Sequence, residues 1–285
     1  MLVKKLKYSV LEIFKLLNIL SLDAPLVVLF WTEIISIQFE VTIPFVAKLI
    51  FFLSAWLGYS ADRFLESFSK KPDSVICDRH LFFFKNKKIY SLIWITIFVV
   101  SVNLAVQNFL FINFFLCFGL FVLVIFNQFQ SFFRFTRVEL IFPKNIRTSL
   151  LLSLTCFYLP ILFSNDFSVE ILLSFLILVI LFFFNCLKIK LWEESNKYFK
   201  SQKNKLFENQ SLEVSTQLTL SLLSLLLFCI IIFEKKLYLL LLSIVLTMLF
   251  SILLDRTKLK TETKIVFLDQ LFWVVPLLIL TQSWQ

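Results

Sequence analysis

Glycine is nearly absent from this 285-residue chain, which holds only Gly58 and Gly119 beside six prolines, two methionines and a single histidine, His80. Transporters built on interrupted helices place Gly or Pro at paired positions in two halves, so this scarcity argues against that class. No span carries a polar stripe, which argues against a channel. The five cysteines, Cys77, Cys117, Cys156, Cys186 and Cys229, form no CxxC pair, so neither a zinc site nor a disulfide framework is indicated. There is no low-complexity linker and no clear repeat. The first twenty residues lack a small-residue cleavage site, so no cleavable signal peptide is expected.

What the chain does have is apolar bulk. Hydrophobic residues make up 59%, Phe alone numbers 38, and the mean hydropathy is +0.89. Soluble domains run nearer about 45–50% apolar, so a soluble enzyme is excluded. Nine spans of about 20 residues each would commit nearly the whole apolar inventory to a membrane. The spans fall at roughly 22–39, 43–61, 91–108, 110–128, 148–165, 168–187, 212–233, 237–254 and 264–282. Residues 1–20 are amphipathic, with Lys4, Lys5, Lys7, Glu12 and Lys15 breaking the apolar run, and read as a helix lying at the interface.

The net charge of +9 would suit nucleic acid, but the cations sit in short connections between spans, so no nucleic-acid partner is expected. With nine spans and the N-terminus inside, every Lys and Arg but Lys48, Lys235 and Lys236 falls on the inner side, as the positive-inside rule requires. The expectation is therefore one all-α domain over 1–285. It is a polytopic bundle of about nine transmembrane helices around a central cavity opening to the cytoplasm, with the C-terminus outside.

Polar groups gather at two inner helix ends. In AWLGYSADRFLESFSK, Asp62 and Glu66 are four apart, so on a continued helix both carboxylates share one face about 6 Å apart. That spacing suits a shared divalent cation. It also suits a solvated helix end with Arg63 snorkelling. Carboxylates near a helix C-terminus oppose the macrodipole, so a compensating cation is called for, either Arg63 or a metal. In FFFNCLKIKLWEESNKYFK, Asn185, Glu193, Glu194 and Asn196 offer oxygen ligands and Lys188 and Lys190 offer positive charge. Those groups suit a magnesium-bridged diphosphate, and equally an interfacial helix with Trp192 at the headgroup level.

The two motifs and the nine-span count together resemble the UbiA superfamily of intramembrane prenyltransferases, in which an NDxxDxxxD motif closes the second helix and a DxxxD-type motif follows the sixth. Asp62 and Glu66 match the last two acidic positions of the first motif. Gly58-Tyr59 replaces the opening Asn-Asp, and Asn185 stands where Asp is usual. The chain is more similar to a divergent branch marked by SLDAPLV (Ser21 to Val27), a YxADRxxD-like stretch (Tyr59 to Glu66), Arg79-His80, and NCLxIxxWE (Asn185 to Glu193). The resemblance implies Mg²⁺ held by Asp62, Glu66, Asn185 and Glu193. It implies Asp62, Glu66 and Arg63 in the catalytic role, and Arg79, His80, Asn185, Lys188 and Trp192 as substrate-binding residues. The donor would be a polyprenyl diphosphate or another isoprenoid lipid, the acceptor apolar or aromatic, and the location a bacterial plasma membrane. A catalytically degenerate lipid-binding or scaffolding protein of the same fold is the alternative. Taken alone, His80 reads as a solvated group in a basic loop; the functional reading is a diphosphate contact beside Arg79.

Four further charges invite attention in or beside the apolar runs. Glu33 and Lys48 lie at similar depth, about 8–9 Å from the outer ends of consecutive antiparallel spans, and are expected to form a structural ion pair. Asp269 would face the inner cavity mouth or simply favour a helix start. Asp23 reads as an N-cap.

Overall fold

The computed structural model describes residues 2–69, 82–83, 85–133, 143–164, 168–200, 237–257 and 259–283, with side chains left out at 2–10, 62, 64, 66–69, 130–133, 193–200 and 283. Among the described residues the chain is all helix, with no strand. The helices are α1 (Leu2–Ile19), α2 (Asp23–Gln38), α3 (Phe45–Ser69), α4 (Lys87–Asn108), α5 (Phe111–Phe133), α6 (Lys144–Phe163), α7 (Val169–Lys200), α8 (Tyr238–Asp255) and α9 (Thr261–Ser283). Six of them, α4 to α9, are long and apolar enough to cross a membrane, and the bent α1–α2 pair raises the count to seven. The apolar part of α3, Phe45–Ala61, is shorter. Eight of the nine expected spans coincide with α2 to α9; the span at 212–233 lies outside the described residues.

Two helix ends show how the chain turns without glycine. Between α1 and α2 the axis swings by 97°. Ser21 there takes φ 60°, while Leu22 N–H donates to the Leu17 carbonyl and Ser21 N–H to that of Asn18. That is a Schellman closure with a non-glycine residue in the left-handed position. Glu40 repeats it after α2, with φ 56° and Val41 N–H on the Ser36 carbonyl. The first turn makes α1 lie across the end of the bundle, as an interfacial helix does. It also corrects the N-cap reading of Asp23: Leu22 holds the cap position with no side-chain cap bond, and Asp23 is the first helical residue.

α2 is the hub, packing on α3, α6, α8 and α9. Trp31 is fully buried at its centre. Its indole N–H donates to the Phe272 carbonyl at 2.7 Å, and its ring meets Phe182 edge-on. With glycine scarce, small hydroxyl residues supply the close helix approaches that membranes favour. Ser36, Ser149, Ser153, Ser174, Ser243 and Thr247 are all buried. Most satisfy themselves on their own helix, such as Ser36 on Thr32 and Thr247 on Ser243, while Thr32 donates across to the Cys156 carbonyl at 3.0 Å. Where α3 meets α5, a Cβ on Gly58 would stand 2.8 Å from Val124 Cγ1, so this approach does need glycine. α4 and α5 bury the least of the spanning helices and present Leu92, Val99, Phe111 and Leu123 outward, the surface a bilayer would cover.

At the end of the bundle opposite α1, Glu33 and Lys48 pair at 2.6 Å, as their matching depths lead one to expect.

Candidate functional site

The end of the bundle that carries α1 concentrates the buried charge. The first group forms around the α1–α2 turn. Asn18 Nδ2 donates to Asp23 Oδ2 at 2.7 Å and to Asp269 Oδ2 at 3.2 Å, so one amide bridges carboxylates from α2 and α9. Arg63 of α3 is buried beside them, 3.8 Å from Asp23 Oδ2. Its guanidinium donates to the Asn18 carbonyl and to the Tyr59 hydroxyl at 3.1 Å, and it stacks 4.7 Å from the Tyr59 ring centre. A planar guanidinium with several fixed donors suits such a convergence. The α1–α2 turn places Asn18 and Asp23 here, and one helical turn on α3 separates Tyr59 from Arg63.

The second group joins α7, α8 and α9. Lys188 pairs with Asp255 at 2.8 Å and donates to the Ser251 carbonyl at 2.7 Å. Its ammonium lies 5.2 Å from the Trp192 ring, which Lys264 also approaches at 5.9 Å. Asp269 of the first group and Lys264 of the second both belong to α9, so that helix links the two.

Between α2, α3, α4, α5 and α6 runs a cleft with a cavity volume of about 160 Å³. Phe51, Phe98, Phe114, Phe118 and Phe121 give it an aromatic wall, and Tyr59, Asn127, Gln128 and Thr148 add polar groups. Its α5 wall runs from Phe114 to Gln128, about 21 Å of helix. Tyr59 belongs both to the cleft and to the Arg63 group. An apolar trough with a few polar groups is the usual form of a lipid or small-molecule site.

The residues expected from the motifs distribute as follows. Arg63 lies at the junction of cleft and charge, engaged by Asp23, Asn18 and Tyr59. Asp62 and Glu66 are on the helical backbone of α3 one turn apart, and Glu193 is on α7; the side chains of all three lie outside the described residues, as do Arg79 and His80 altogether. Asn185, Lys188 and Trp192 share the α7 end. Asn185 Oδ1 is buried and has no hydrogen-bond partner among the described residues. Among the described residues α7 adds none to the cleft wall and packs instead on α6 and α9. Among the described residues no three His, Cys, Asp or Glu side chains gather as a metal site would require.

Sequence reasoning missed Asn18, Asp255, Asn127 and Gln128. Asp255 carried a signal, being a carboxylate directly at the end of an apolar run. Asn127 and Gln128 did too, as two adjacent carboxamides closing the most apolar stretch of α5.

Comparison of the chain with protein-family models, with curated proteins and with solved structures finds no match. The fold and the geometry of these groups carry the functional argument by themselves.

Proposed function

We propose that this is a UbiA-like intramembrane protein that transfers a prenyl group from a polyprenyl diphosphate to an apolar or aromatic acceptor, with Mg²⁺ on the diphosphate. The observation that carries the reading is the continuity of α3. Its stretch from Ile50 to Tyr59 walls the apolar cleft, and Asp62 and Glu66 follow within two turns on the same helix. Apolar room for an isoprenoid chain and hard oxygen donors for its head thus succeed one another along one element.

The donor set fits magnesium in kind. Asp62, Glu66 and Glu193 are carboxylates, and the buried Oδ1 of Asn185 is an oxygen acceptor without a hydrogen-bond partner among the described residues; Mg²⁺ takes such ligands together with substrate phosphates. The bound ion would neutralise the diphosphate and ease its departure. Arg63, with Tyr59 beneath it, would orient the head above the cleft, and Arg79, His80 and Lys188 would add positive charge. The aromatic wall excludes water and offers ring faces to a developing prenyl cation.

Placement in a bacterial plasma membrane with nine crossings belongs to the same proposal. In it the α1 end faces the cytoplasm, and the support is the side on which Lys and Arg gather.

A second reading, lipid binding without turnover, is favoured by one observation: Arg63 and Lys188 already hold carboxylate partners, Asp23 and Asp255. Titration of the purified protein with Mg²⁺ and a polyprenyl diphosphate decides between them. Magnesium-dependent binding that Asp62→Ala abolishes, followed by diphosphate release, upholds the transferase. Binding indifferent to both leaves the lipid carrier.

A further inference from the structure

The described residues lining the cleft include no Asp, Glu, Lys, Arg or His. An ionised group drawn into it would face an uncompensated burial cost, and Arg63, the cation bonded to the wall residue Tyr59, is already held by Asp23. Yet the cleft is not featureless. Gln128 of α5, Thr148 of α6 and Ser54 of α3 line it, and none of their side chains makes a hydrogen bond among the described residues. Gln128 is the most telling of the three, at 9% exposure. Two other wall residues behave differently. Ser101 and Thr155 donate to their own helices, at 2.8 Å to Ile97 and 2.7 Å to Leu151, the usual way a hydroxyl is satisfied in an apolar helix. Gln128 and Thr148 stand at matching height, five and four residues from the ends of consecutive antiparallel helices, or about 6–8 Å inside the bundle.

Unpartnered polar groups in an apolar wall are costly unless something else completes them. We infer that the cleft binds an uncharged amphiphile. Its hydrogen-bonding head, an alcohol, phenol or quinone, lies against Gln128, Thr148 and Ser54, and its apolar chain runs along the phenylalanine wall. A carboxamide both donates and accepts, so Gln128 reads either a hydroxyl or a carbonyl. Under the transferase reading this ligand is the acceptor, with its head lying within about two turns of Asp62. The inference rests on that reading only in taking the cleft as the lipid site; it needs neither magnesium nor turnover.

The test uses the full chain in lipid nanodiscs and a radiolabelled benzoquinone bearing two isoprene units. Competitors carry the same chain with an alcohol, a carboxylate or a diphosphate head, and a diacylglycerol is the fourth. Expected are saturable quinone binding, competition by the alcohol, and competition by the carboxylate at least tenfold weaker. Gln128→Leu and Thr148→Val each weaken quinone binding about fivefold, the worth of one hydrogen bond. The unliganded Tm of Gln128→Leu stays level or rises, because an unpaired amide leaves the wall. Diacylglycerol competing as well as the alcohol upholds the neutral head and names bulk lipid as its source. An equally competent carboxylate, unchanged affinity in Gln128→Leu, or no saturable binding overturns the inference. Quinone binding that survives Asp62→Ala, alongside a wild type that fails to bind diphosphate with Mg²⁺, sinks the transferase and leaves this site standing.

Discussion

The Lys188 ammonium lies 2.8 Å from the Asp255 carboxylate, with both side chains at most 1% exposed, so α7 and α8 are joined by an ion pair sealed from water. Such a pair is a weak source of net stability but expensive to break from one side, since the survivor is left buried and uncompensated. Asp255→Asn is therefore expected to lower stability by about 3 kcal/mol, read as a fall in Tm in detergent. The double variant Lys188→Met/Asp255→Leu recovers most of that loss. A double variant as unstable as the single one would show that the pair is more than locally matched charge.

Glu33 and Lys48 are paired at 2.6 Å but are 20% and 22% exposed, so partial solvation tempers the effect. Glu33→Gln is expected to cost about 1 kcal/mol, and adding Lys48→Met to remove that penalty. Equal stability of the single and double variants in thermal unfolding would remove the pair from the account of stability.

The two glycines should behave in opposite ways. Gly58→Ala pushes a methyl group to 2.8 Å from Val124 Cγ1, and the β-branched valine has little rotamer freedom to yield. A loss of about 1–3 kcal/mol follows, relieved by Val124→Ala. At Gly119 nothing lies within 4 Å of a built Cβ, so Gly119→Ala gains about 0.5–1 kcal/mol of helix propensity. Comparing the two Tm shifts in one detergent checks both.

Glu40 sits in the left-handed region at φ 56°, where an L side chain strains the backbone and glycine does not. Glu40→Gly is expected to stabilise by about 0.5–1 kcal/mol, the relief exceeding the added chain entropy. A lower Tm would mean that the Glu40 side chain contributes more than the strain it carries.

Much of the architecture was legible in the residues. Hydrocarbon admits only segments that satisfy their own backbone, so apolar runs of sufficient length had to become helices. α2 and α4 to α9 appear where the hydropathy puts them. Glu33 and Lys48 were legible as a pair for a similar reason: a short turn between antiparallel helices fixes the relative height of residues on either side. Arg63 was read as a charged group near a helix end, but its partners were not. Asn18 meets Asp269 across 251 residues of chain, and no local pattern carries that information.

The sequence by itself determined which described segments became long apolar helices and in what order, because these depend on the affinity of each segment for lipid. The tertiary structure alone decided that Lys188 faces Asp255, that Arg63 is anchored on Asp23, and that α2 to α6 enclose the cleft while α7 turns to α6 and α9. The physical reason is that a spanning helix is apolar on both its lipid-facing and its protein-facing sides. Periodicity then does not mark the inward face, and the fit of small residues and aromatic rings chooses the neighbours.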